Sequence, residues 1–143
     1  MEKFSLSERY RLELHWESVS YDIEGKCKLT NAYFSGPALN EALRLNDSDH
    51  IMLDFFKQYI ILVKNVYVAK FSWAGVDYNS NNMIKLSNTH ITHETELNRV
   101  PKLKSSDYLV IDTHGHDVEN HPYNLVYKTY VVNETTNLYK FER

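Results

Sequence analysis

Asp49-His50-Ile51-Met52-Leu53-Asp54-Phe55-Phe56-Lys57-Gln58-Tyr59-Ile60-Ile61-Leu62-Val63-Lys64 is the densest apolar run in the chain. Its few polar residues fall in phase: Asp54, Lys57 and Lys64 stand at i, i+3 and i+10, on one narrow helical stripe. Ile51, Phe55, Tyr59 and Leu62 line another face, with Met52, Phe56, Ile60 and Val63 beside it. This spacing predicts a long helix over 49–64, buried around most of its circumference. Ser48 or Asp47 suits its N-cap, and Asp49 suits the positive end of its dipole. The run is too short and too often charged for a membrane span.

Outward from this run the chain reads as strands and turns. Tyr10, Leu12, Leu14 and Trp16 alternate with Arg11, Glu13, His15 and Glu17, the pattern of a half-buried strand. The apolar phase then moves from even to odd at Val19, Tyr21 and Ile23, which predicts a bulge or tight turn at Glu17-Ser18. Glu24-Gly25-Lys26 reads as a hairpin turn, and Cys27, Leu29 and Tyr33 continue the odd phase on the return. Gly36-Pro37 ends that strand, and Pro37 suits the start of a short helix over 37–45. Further strands are expected at 66–73, 83–93, 108–113, 124–133 and 138–142. The fold expected is therefore α+β: a mostly antiparallel, twisted sheet of about six or seven strands packed on the long helix. The whole chain, 1–143, reads as a single domain, since no repeat and no linker divides it.

Composition narrows the functions. With 143 residues, 43% hydrophobic and 24% charged, the chain has ordinary globular proportions. A formal charge of −3 with interspersed signs leaves no basic footprint for nucleic acid. Arg99, Lys102 and Lys104 form only a small basic cluster. Four glycines include neither phosphate-loop pattern, and there is no Gly-x-Ser-x-Gly elbow. The lone cysteine, Cys27, excludes an internal disulfide. The start carries no apolar signal core, so a cytoplasmic protein is expected. Frequent Asn, Lys, Tyr and Ile suggest a bacterial or phage source. Eleven tyrosines supply most of the 13% aromatic share, which suits sheets and binding surfaces alike.

The most chemically suggestive segment is Leu109-Val110-Ile111-Asp112-Thr113-His114-Gly115-His116-Asp117, an apolar strand ending in His-x-His. Two imidazoles two apart on an extended chain can face one ion, with Asp112 or Asp117 binding it or orienting a ligand. These nine residues resemble the strand and motif that open the barrel of metal-dependent amidohydrolases. They also resemble the His-x-His-x-Asp-His motif of metallo-β-lactamase-like hydrolases, although Asp117 follows His116 directly and the last His is missing. The resemblance stops there and implies only zinc or another divalent transition metal on His114, His116 and Asp112 or Asp117.

Two functions follow. The first is a small non-enzymatic cytoplasmic protein, without cofactor, that binds and neutralises or regulates a partner protein. Immunity proteins and phage inhibitors are built this way, an analogy of fold alone. Its surface is sought at Glu13, His15, Glu17, Asp77, Tyr78, Tyr123 and Tyr130, and a homodimer through an exposed strand edge is a further option. The alternative is a small metal-dependent enzyme or metal-binding domain using the His114 loop.

Overall fold

The computed structural model of the protein describes residues 8–23, 26–39, 45–55, 68–78, 82–93, 102–114, 116–117 and 125–132. After a single 3-10 turn at Glu8–Tyr10 the strands are, in chain order, β1 (Arg11–His15), β2 (Ser18–Tyr21), β3 (Cys27–Thr30), β4 (Tyr33–Ser35), β5 (His50–Asp54), β6 (Val68–Ser72), β7 (Gly75–Asp77), β8 (Ile84–Ser87), β9 (Thr89–His93), β10 (Tyr108–Asp112), β11 (His116–Asp117) and β12 (Leu125–Val132).

The expected α+β fold is thereby corrected. The described residues are 60% strand and 4% helix, so they are essentially all sheet. The long helix expected over 49–64 begins instead as β5, and residues 56–64 lie outside the described residues. The physical reason is visible in the burial of β5. Ile51, Met52, Leu53, Asp54 and Phe55 are all buried, although successive residues of a strand point to opposite faces. A strand covered on both faces loses its polar alternation and reads as a continuous apolar run, which periodicity cannot separate from a buried helix. The short helix expected over 37–45 is likewise replaced at both ends. Leu39 N donates to Gly36 O at 3.1 Å in a single turn, and Leu45 is not helical. Residues 40–44 lie outside the described residues. Gly36 has φ +104°, and a Cβ there would stand 3.1 Å from Arg11 O, so the turn needs glycine.

Four long segments, each bent at its middle, organise the sheet. β1 and β2 are two halves of one strand, as are β3 and β4, β6 and β7, and β8 and β9. Pairing crosses each bend without slipping. His15 faces Tyr33 and then Ser18 faces Thr30, three residues on along both strands. Likewise Tyr33 faces Lys85 and then Leu29 faces Thr89, and Gly75 faces Ser87 while Ser72 faces His90. The buried set nevertheless changes parity at every bend. Leu12, Leu14 and Trp16 give way to the partly buried Val19; Cys27 and Leu29 to Ala32 and Phe34; Ile84 and Leu86 to Thr89 and Ile91. Asn31 (φ 52°) and Asn88 (φ 50°) sit at two of these switches in the left-handed region, which Asn tolerates better than most residues. The phase change expected at Glu17-Ser18 is thus real. It is one strand's share of a crease running through all four, and Glu17 N still donates to Thr30 O at 2.8 Å across it.

The crease lets the sheet close on itself. Starting from the β1–β2 strand, neighbours run through β10, β12, β5, β6–β7, β9–β8 and β3–β4, and β3 returns to β2. Among the described residues that ring has seven members. Antiparallel alternation cannot close an odd ring, so one pairing must be parallel. It is β5 with β12, where Tyr127 faces Leu53. The ring encloses one apolar core, centred on Phe34, Phe71 and Trp73. Phe34 meets Phe71 and Trp73 edge-on, with centroids 5.9 and 6.4 Å away. Three polar side chains at the core are hydrogen-bonded to backbone carbonyls. Trp73 Nε1 donates to Asn46 O, Trp16 Nε1 to Lys104 O, and Thr89 Oγ1 to Leu29 O.

Cys27 and Tyr21 face each other in the β2–β3 pair. Burial pushes the Cys27 thiol up to about 11, against a lowering by its hydrogen bond with Tyr21. Burial also pushes the Tyr21 phenol up to about 12, against the bond its oxygen accepts from Leu103 N at 2.7 Å. Both folded-state values lie above the unfolded ones, so the unfolded chain ionises first. Stability is expected to be intact below about pH 9 and to fall progressively as pH rises toward 12. Cys27→Ala should flatten the early part of that decline, as read from urea unfolding across the alkaline range.

Candidate functional site

Odd residues of β1 point away from the core, and the register fixes what they meet. Glu13 faces Ser35 on β4 and Val110 on β10, and Val110 faces Tyr130 on β12. His15 faces Tyr33, and Arg11 faces Asp112. Directly paired residues share a face of the sheet, so these side chains form rows across β4, β1, β10 and β12.

His15 is the centre of this face. Its ring lies between Tyr33 (centroids 5.2 Å, 18° between planes) and Tyr108 (4.7 Å, 19°). Its Nε2 is 3.0 Å from Glu13 Oε1, and Arg11 Nε is 3.3 Å from Glu13 Oε2. One carboxylate therefore ties two neighbours on its own strand, holding the stack in a fixed orientation. Val110 and Val132 are buried beneath Tyr10, Tyr108 and Tyr130 in a small apolar cluster on the same outer side. Burial raises the Tyr130 phenol, and the charges of Asp112 and Asp54 raise it further.

The Glu13 carboxyl is held below its ordinary 4.5, first by the His15 hydrogen bond, against burial, which raises it, and then by the charges of Arg11 and His15. A depressed carboxylate stabilises the fold above its unfolded value and loses that contribution as pH falls through the folded one. His15→Ala is therefore expected to move the acid unfolding midpoint upward, and Glu13→Gln to flatten the loss of stability as pH falls below the carboxyl's ordinary 4.5. Thermal melts over that acid range check both.

Of the residues expected at a binding surface, Glu13, His15 and Tyr130 come together on this face. Glu17 lies just beyond the bend, exposed, and accepts a hydrogen bond from Asn31 Nδ2. Asp77 on β7 faces Lys85, which faces Tyr33, so it extends the His15 row two strands outward. The Tyr78 hydroxyl donates to Leu45 O at 2.8 Å. Tyr123 lies outside the described residues. Missing from the sequence reading are Tyr33, Tyr108 and Arg11. Alternation turns Arg11 outward, but the two tyrosines reach His15 only through strand order.

The expected metal ligands straddle an interruption of one strand. Ile111 faces Thr129 and His116 faces Val126, five steps along β10–β11 against three along β12, so the segment between them bulges. In the bulge Asp112 Oδ1 accepts from His114 N at 2.9 Å, Thr113 N donates to Tyr10 O, and the His114 ring stacks on Tyr10 at 5.0 Å. His116 and Asp117 form β11. Among the described residues no group of three or more His, Cys, Asp and Glu side chains is placed to hold a metal ion.

A groove of about 480 Å³ opens at the crease beside Tyr33, between Glu17 and Lys85. Among the described residues no helix is long and apolar enough to cross a membrane. Comparison with protein-family models, curated proteins and solved structures finds no match.

Proposed function

We propose that the protein is a non-enzymatic binding protein that neutralises or regulates a partner protein through the outer face of β4, β1, β10 and β12. One observation carries this reading: the Tyr33–His15–Tyr108 stack, fixed by Glu13 and Arg11 and left half-exposed. Rigid aromatic rings flanked by charges are the composition of interface hot spots, because they offer contact area at little cost in side-chain entropy. A cytoplasmic location forms part of the proposal, in keeping with the one cysteine being free and buried.

The test is parallel purification of tagged wild type, His15→Ala and Tyr108→Ser from the native host. A stoichiometric protein retained by the wild type and lost from variants that keep its near-ultraviolet circular dichroism supports the face. Equal retention by folded variants overturns it.

A further inference from the structure

The groove at the crease joins two kinds of chemistry. Its lining includes the half-buried Tyr33 and Met83 above the buried Trp16 and Leu86, and its charged residues are Glu17 and Lys85, of opposite sign. Its volume of about 480 Å³ lies within the usual range of small-molecule sites, about 300–1,000 Å³. Its acidic wall is preorganised. Asn31, held at φ 52° by the crease, donates its amide to Glu17 Oε2. Its basic wall stands on β8, where Lys85 lies in register with Tyr33 on one side and Asp77 on the other.

We propose that this groove binds an α-amino acid with an aromatic or large apolar side chain. The side chain packs on Tyr33 and Met83, the ammonium meets Glu17 and the carboxylate meets Lys85. Charge-assisted bonds at both ends set the specificity. Asp77 competes for Lys85, so removing its charge strengthens the hold on the carboxylate. The site adjoins the partner-binding face, and Tyr33 belongs to both.

The protein carries its own reporter, because Trp16 lines the groove. Phenylalanine, N-acetylphenylalanine, phenylalaninamide and glycine are titrated into the full chain, following tryptophan emission and backbone amide shifts. Phenylalanine is expected to give saturable changes confined to the groove at millimolar concentration. Losing the ammonium or the carboxylate should weaken binding about tenfold each, the worth of one bond to a charged group. Glu17→Gln should erase the preference for a free ammonium, Lys85→Met the preference for a free carboxylate, and Asp77→Asn should tighten binding. These residues are exposed, so the variants keep the fold. No saturable change at the groove, or equal binding of the capped compounds, overturns the proposal. So does unchanged preference in Glu17→Gln and Lys85→Met. Loss of partner binding in His15→Ala does not bear on it.

Discussion

Phe34→Ala is expected to lower the unfolding free energy by about 3–5 kcal/mol, measured by urea denaturation. Phe34 is fully buried and meets both Phe71 and Trp73 edge-on. It stands on β4, where Leu14 faces it from β1 and Ile84 from β8. Strands held on both sides cannot move inward to fill the space a missing ring leaves, so the full cavity cost should be felt. Phe34→Leu keeps most of the volume and is expected to cost less than half as much. A loss below about 1 kcal/mol for the alanine variant would show that the centre of the ring is not packed as described.

The second large effect is expected from Leu53→Pro. β5 is paired along both edges, antiparallel to β6 and parallel to β12. An amide on such a strand has no solvent-facing side, and proline removes its hydrogen and leaves a carbonyl opposite without a donor. The unmet carbonyl costs about 1–3 kcal/mol, and the lost Leu53 side chain, fully buried, costs about 2–5 kcal/mol more. The total of about 3–8 kcal/mol compares with the whole stability of an ordinary domain, about 5–15 kcal/mol. Loss of the cooperative thermal transition is the expected result. A variant that melts like wild type would contradict the place of β5 inside the ring.

Alternation discloses β1, whereas covered strands lack it: β10 and β12 are still legible as β-rich segments, and β5 is not. β1 was readable because its outer face is charged, and Arg11, Glu13 and His15 break the apolar run at every second residue. β6, β10 and β12 lie within the segments expected to be strands. β5 was misread because Met52 and Asp54 are buried on the face where a surface strand shows its polar residues. The crease left one trace, the change of phase after Trp16, which looks local in one strand. That the same change recurs at Asn31 and Asn88 becomes visible only once the partners are known. The site divides the same way. Glu13 and His15 follow from alternation. Their meeting with Tyr33 and Tyr108 depends on β1 lying between β4 and β10, and local sequence does not encode that order.

The crease also constrains how the sequence can vary. Deleting one residue beside Asn31 would turn the apolar set beyond it outward in that strand alone, while its neighbours kept their phase. No single compensating substitution repairs that, because the mismatch would run along two pairings at once. Over 11–35 and 68–93, side chains can drift under selection, but insertions and deletions cannot be accepted one strand at a time. Divergent relatives of this chain should therefore be recognisable by the conserved lengths of those strands sooner than by the residues within them.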